Sequence, residues 1–189
     1  MALTRIGPNQ SINLASNVTG TLPSGNLPAG SILQVASVTK TDVFSTSSTS
    51  FTNITDLSIT ITPSSTSNKI ISFFNGSVGN SQDDRNVLIA VARDGTTLGL
   101  ADASGTRARS FAGIHIANDQ TNSSLVGNVA FQYTDSPNTT SSTTYTIQMR
   151  NGLSGVTAYL GRGGEMSSSS DQNRTTFSSE FTIMEIAGW

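Results

Sequence analysis

Phe51-Thr52-Asn53-Ile54-Thr55-Asp56-Leu57-Ser58-Ile59-Thr60-Ile61-Thr62 is the stretch that decides the fold of this chain. Its second half, Leu57 to Thr62, alternates apolar and hydroxyl side chains without a break, and Pro63 stops it. Successive side chains of a strand point to opposite faces, so a period of two describes a strand with one buried and one wetted face. Leucine and isoleucine take the inside. Serine and threonine solvate the outside without favouring a helix.

The same pattern extends in both directions along the chain. Ile32 to Phe44 reads as a strand, set apart by the polar run Ser45–Ser50. Lys69 to Val78 contains Ile70-Ile71-Ser72-Phe73-Phe74, apolar on both faces, as in a central strand. Asn86 to Arg93 ends in Asp94-Gly95, a type I′ hairpin pair, and Thr96 to Ala101 returns. Ser110 to Ala117 sets Phe111, Gly113 and His115 against Ala112, Ile114 and Ile116. Leu125 to Tyr133 precedes the turn Thr134-Asp135-Ser136-Pro137-Asn138. Thr143 to Arg150 places Tyr145, Ile147 and Met149 on one face, Asn151-Gly152 turns the chain, and Gly155 to Leu160 follows. Thr176 to Ala187 alternates Phe181, Ile183 and Glu185 with Thr182, Met184 and Ile186. Ser45–Ser50, Pro63–Asn68, Asn138–Thr144 and Ser167–Ser170 read as loops. About nine or ten short strands and no three-turn helix predict an all-β fold, an antiparallel β-sandwich or jelly roll.

Residues 1–30 are different. They end in Asn17-Val18-Thr19-Gly20-Thr21-Leu22-Pro23-Ser24-Gly25-Asn26-Leu27-Pro28-Ala29-Gly30, where Pro23 and Pro28 hold the chain extended and cannot donate to a ladder. Ile12, Leu14, Val18, Leu22 and Leu27 are too sparse to fold alone and need another surface to pack on. The chain therefore divides into an extended N-terminal attachment arm, 1–30, and a β-sandwich head, 31–189. Burying one such leucine is worth on the order of 2 kcal/mol, multiplied when several arms wind together.

Composition narrows the function. Only 12% of residues are charged, against ~25% in an average domain, and serine plus threonine supply roughly three residues in ten. Lys40 and Lys69 are the only lysines and net charge is −2, so no basic footprint for nucleic acid is present. Cysteine is absent, which excludes a disulfide-stapled scaffold. Met1 to Pro8 does not read as a signal peptide and no window approaches ~20 apolar residues, so a cytoplasmically made protein with no membrane insertion is expected.

Catalytic chemistry is sparse. The single histidine, His115, sits between Ile114 and Ile116 and reads as a half-buried strand residue, with no Gly-x-Ser-x-Gly elbow to support a triad. The glutamates are Glu165, Glu180 and Glu185, and the last two read as solvated strand edges rather than a facing glycosidase pair. Asp83, Asp84, Asp94, Asp102 and Asp119 fall near loops without an Asp-x-Asp-x-Asp-Gly calcium pattern. Gly161-Arg162-Gly163-Gly164 lacks the Lys-Ser/Thr of a phosphate loop and reads as a flexible turn. Arg107 and Arg109 read as solvated or salt-bridged. No enzyme activity, cofactor or metal is expected. Trp189 reads as a plug, for its own domain end or a neighbour's surface.

Ile12-Asn13-Leu14-Ala15-Ser16-Asn17-Val18-Thr19-Gly20-Thr21-Leu22-Pro23 resembles the V-T-G-T-L-P element of bacteriophage tail-fibre and related virion proteins, many from marine and cyanobacterial phages. Gly30 to Phe51, Ile61 to Ile70 and the closing Phe181-Thr182-Ile183-Met184-Glu185-Ile186 look like the β-domain that follows it in that family. The resemblance implies a homotrimeric structural protein of the virion. Its arm, through Ile12, Leu14, Val18, Leu22, Pro23, Leu27 and Pro28, would attach to other virion proteins of tail or capsid. Its β-domain would face outward for host attachment, to a surface glycan or protein. Long fibres carry hundreds of shaft residues, and only thirty precede the domain here. A short fibre or spike is expected, with a capsid decoration protein as the alternative and a polysaccharide depolymerase as a lesser one. A cellular carbohydrate-binding module would need a platform of exposed aromatics, which one Trp, three Tyr and eight Phe, mostly inside strands, do not suggest.

Overall fold

The computed structural model describes residues 27–116, 125–164 and 175–188. Eleven strands occur among them: β1 Ile32–Lys40, β2 Phe44–Thr46, β3 Thr52–Ile61, β4 Lys69–Asn80, β5 Arg85–Arg93, β6 Thr96–Thr97, β7 Ala112–Ile116, β8 Gly127–Asp135, β9 Thr143–Asn151, β10 Ala158–Leu160 and β11 Ser179–Ile186. They form two sheets, antiparallel throughout. In the first, β11 lies between β1 and β4, and β8 takes the other edge of β4. Beyond β11, β10 continues along β4 and carries β2. In the second, β9 lies between β3 and β5, whose other edge pairs with β7 and β6.

The sheets pack face to face as a β-sandwich. Ile70, Phe74, Val78, Phe181 and Ile183 of the first meet Ile59, Ile61, Val87, Ile89, Val91, Tyr145, Ile147 and Met149 of the second. Leu57, Ile59 and Ile61 are buried while Ser58 and Thr60 are exposed, as the alternation requires. At Asp94-Gly95 both residues have positive φ, 47° and 84°, the geometry of a type I′ turn.

Several expected elements differ, and the return strand expected over Thr96 to Ala101 shrinks to Thr96–Thr97. The strand expected over Ile32–Phe44 breaks after Lys40, because the Lys40 ammonium donates to both Asp42 carboxylate oxygens at 2.8 and 2.9 Å and turns the chain. Phe44–Thr46 then pairs with β10, so the hydroxyl run starts inside a strand. Thr55-Asp56 forms a bulge with Asp56 at φ 64°, which shifts the register between Asn53 and Ser58. Asn151 is not a turn residue: it closes β9 fully buried, and its side-chain nitrogen donates to the carbonyls of Thr46 and Val156.

The sandwich has a proximal end, where residues 30–31 pair with Ala187, and a distal end. From the proximal end β1 runs outward to Lys40, paired there with Ser179, and β4 runs outward to Asn80. The loop before β5, the end of β7, the start of β8 and the loop between β9 and β10 are consequently distal. Inward-facing polar residues close both ends over the apolar centre. Distally, Asn80 Nδ2 donates to Asn151 Oδ1 at 2.9 Å, and Lys40 is buried beside Asp42 and Asp56. Proximally, Asp135 and Glu185 are buried.

Candidate docking surfaces

The foot of the arm is fixed to the head. Ser31 N donates to Pro28 O at 3.1 Å, and Gly30 at φ 85° takes the left-handed position of that tight turn. Gly30 N donates to Ala187 O at 2.9 Å, and Ala187 N donates to Ser31 O at 2.8 Å. Leu27 is half-buried and Pro28 exposed. Ile12, Leu14, Val18, Leu22 and Pro23 lie outside the described residues, so only Leu27 and Pro28 of the expected arm contacts can be placed.

Glu185 braces this foot from inside. It is fully buried, which corrects its expected place at a solvated edge, whereas Glu180 is exposed. One carboxylate oxygen accepts from Ser64 N and Asn68 Nδ2, both at 2.6 Å, and from Ser64 Oγ; the other accepts from Gln34 Nε2. Asn68 Oδ1 in turn accepts from Gly188 N. Burial alone would raise this carboxyl, but the bonds from Asn68, Gln34 and Ser64 outweigh it and hold it below the usual carboxylate range. The sequence carried the signal: Glu185 shares the inward phase of Phe181 and Ile183.

The outward face of the first sheet is the main apolar surface. Cross-strand pairing sets Val35, Met184, Ile71 and Thr134 in one row, and Ser37, Thr182, Phe73 and Gln132 in the next. A third row holds Thr39, Glu180, Asn75 and Ala130. Val35 is 53% exposed, and Ile71, Phe73 and Met184 are half-exposed. A groove of about 700 Å³ runs over Phe73, Ala130 and Met184, and Glu180 is the only charged residue lining it. The run Ile70 to Phe74 therefore does belong to a central strand, yet its second apolar face meets no other part of the described chain.

The outward face of the second sheet is polar and self-satisfied. Ser58 and Thr146 hydroxyls meet at 2.6 Å, Thr60 and Thr144 at 2.8 Å, and Thr97 donates to Gln148, which donates to Asn53. At its distal margin His115 is exposed rather than half-buried. Its Nδ1 is 3.0 Å from Asn86 Oδ1 and its Nε2 is 2.9 Å from Asp84 Oδ1. Both ring nitrogens are thus engaged by an amide and a carboxylate, and neither partner is a nucleophile.

Asp94, Arg107 and Arg109 serve local structure. Asp94 Oδ1 accepts from Thr144 N; Arg107 donates to Ser104 and Arg109 to Ala101 O. Gly161-Arg162-Gly163-Gly164 is pinned where it was expected to be flexible. Gly161 N donates to Ser77 O, Gly161 O accepts from Phe177 N, and Arg162 stacks on Tyr159 at 3.8 Å. Asp119, Glu165 and Trp189 lie outside the described residues. Among those described, no three His, Asp or Glu side chains gather to hold a metal ion, and no helix is long and apolar enough to cross a membrane.

Neither a protein-family model nor a curated protein matches the chain.

Proposed function

We propose that this chain is a non-enzymatic structural protein of a bacteriophage virion. It forms a short homotrimeric fibre or spike, held to tail or capsid by the arm of residues 1–30 and presenting residues 31–189 for host-surface adhesion. The observation that carries this reading is the polarity of the head. Residues 30–31, at the foot of the arm, pair with Ala187 at the proximal end, which favours a head whose distal end is turned away from whatever the arm grips. The resemblance of Ile12 to Pro23 to phage virion proteins supplies the setting.

The strand order supports a jelly roll, with β1-β11-β4-β8 of the six-stranded sheet facing β3-β9-β5-β7 of the five-stranded one. Trimerisation is supported by the uncovered stripe of Val35, Ile71, Phe73 and Met184. A groove with one charged residue and a central phenylalanine resembles the core of an interface in composition. Burying it releases ~25 cal/mol per Å² of apolar surface. Three linked heads then turn weak single-site binding into firm adhesion.

Sedimentation equilibrium of the full chain tests the assembly. A trimer at micromolar concentration is expected, falling to monomer in Phe73→Asp with its melting retained. A stable wild-type monomer contradicts it.

A further inference from the structure

The adhesion reading leaves open where the head meets its receptor, and the distal margin of the second sheet carries the chemistry for it. Asp84, Asn86 and His115 are fixed by their mutual hydrogen bonds, yet the His115 and Asp84 side chains remain 52% and 62% exposed. Asn86 and His115 are cross-strand partners on β5 and β7, so a rigid sheet sets their spacing. Asp84 sits at φ 58°, in the left-handed region that aspartate and asparagine adopt more readily than other non-glycine residues.

Apolar surface lies beside these polar groups. Gly152 N donates to Asn86 O at 3.1 Å, and the Gly152 backbone sits so close that an added Cβ would lie 2.9 Å from Asn86 Cβ. The next residue, Leu153, is 54% exposed. Leu88, half-exposed, follows Asn86 on the same strand face, and Arg150 beside it stacks on Phe51 at 5.6 Å. Among the described residues, the charges nearby, Asp83 and Asp84 against Arg85 and Arg150, balance. A carboxylate that accepts and an amide that both accepts and donates, next to an aliphatic ledge, complement vicinal hydroxyls and the C–H face of a sugar ring. Balanced charge favours a partner without ionised groups.

We propose that Asp84, Asn86, His115 and Leu153 form a binding site for a neutral saccharide of the host envelope. The site rests on the adhesion reading and gives it a receptor class and a location. Preorganisation matters here: residues already locked together lose little freedom when a flexible glycan docks. A single site is weak, and the trimer supplies three.

Binding of the full-length protein to an array of purified bacterial envelope polysaccharides, neutral and acidic, is the test, run beside adhesion to whole cells. Asp84→Asn keeps a residue type that tolerates positive φ, and Leu153→Ser removes only an exposed side chain; melting temperatures verify that both fold. Binding to neutral polysaccharides, reduced at least tenfold in each folded variant, is expected. Undiminished binding in both variants, or binding to acidic polysaccharides only, overturns the site while leaving adhesion standing. Adhesion to cells with no polysaccharide bound also overturns it and points to a protein receptor. Absence of both overturns the site together with the adhesion reading.

Discussion

Tyr145 donates its phenol hydroxyl to Asp135 Oδ2 across 2.6 Å inside the proximal end of the sandwich, joining β9 of one sheet to β8 of the other. Arg93 reaches the same oxygen at 2.7 Å from β5. Tyr145 is fully buried, and the single oxygen takes both donors, so neither sheet can shift without breaking a charge-assisted bond. Tyr145→Phe is expected to lower stability by about 1–2 kcal/mol. Asp135→Ala, which also strands Arg93, is expected to cost about 3 kcal/mol. Denaturant midpoints at unchanged slope measure both.

Alkaline pH probes the same bond. Burial first, and then the bond to Asp135, raise Tyr145 well above the ordinary tyrosine range. The unfolded chain ionises this phenol near pH ~10 while the folded chain keeps its proton, so stability is intact below that pH and falls as pH rises above it. In Tyr145→Phe this part of the alkaline fall is expected to vanish. A stability curve above pH ~10 identical in both proteins contradicts the burial.

Acid pH probes Glu185. Its carboxyl titrates below the ordinary glutamate range in the folded protein, so its contribution is complete above the unfolded value and is lost as pH falls through the folded one. Wild type is expected to lose stability, and to lose exchange protection at the Gly30, Ser64 and Gly188 amides, as pH drops below ~4. Glu185→Gln is expected to be less stable at neutral pH and flatter toward acid.

Ser72 offers a stabilising change. It faces the core from β4 fully buried, and its hydroxyl has no hydrogen-bond partner among the described residues. Ser72→Ala removes an unsatisfied polar group at the cost of one atom and is expected to add about 1 kcal/mol. A loss of stability on calorimetry reveals a partner for that hydroxyl.

Gly79 tests the pinned glycine-rich turn. A Cβ there would lie 2.6 Å from Arg162 O and 2.7 Å from Gly163 Cα, backbone atoms that cannot swing aside. Gly79→Ala is expected to cost about 2 kcal/mol through this overpacking. Retention of full stability means the turn yields, as its sequence suggests.

Strand positions were legible because alternation is local: Leu57 to Ile61 and Phe181 to Ile183 announce their buried face without help from the rest of the chain. What escaped the sequence depends on partners far along it. Glu185 and Asn151 sit in the inward phase at strand ends, where water is the ordinary solvent. Ser64, Asn68 and Gln34 for one, and Asn80, Thr46 and Val156 for the other, make burial tolerable. The break after Lys40 was hidden because it needs Asp42 and a bulge at Asp56. The second apolar face of Ile71 and Phe73 was legible in Ile70 to Phe74, but periodicity cannot tell a covered face from an uncovered one. The distal cluster of Asp84, Asn86 and His115 was visible only as scattered polar residues until β5 and β7 brought two of them into register.

The central claim is attachment of this head to a phage particle through its arm. Immunogold electron microscopy of intact particles, with antibody raised against residues 31–189, measures it directly, beside particles produced with residues 1–30 deleted. Label at the tail or on short surface spikes, lost on deletion of the arm, is expected. A lattice of label over the capsid would favour the decoration protein instead. Particles without label, or label that survives deletion of the arm, would contradict the claim.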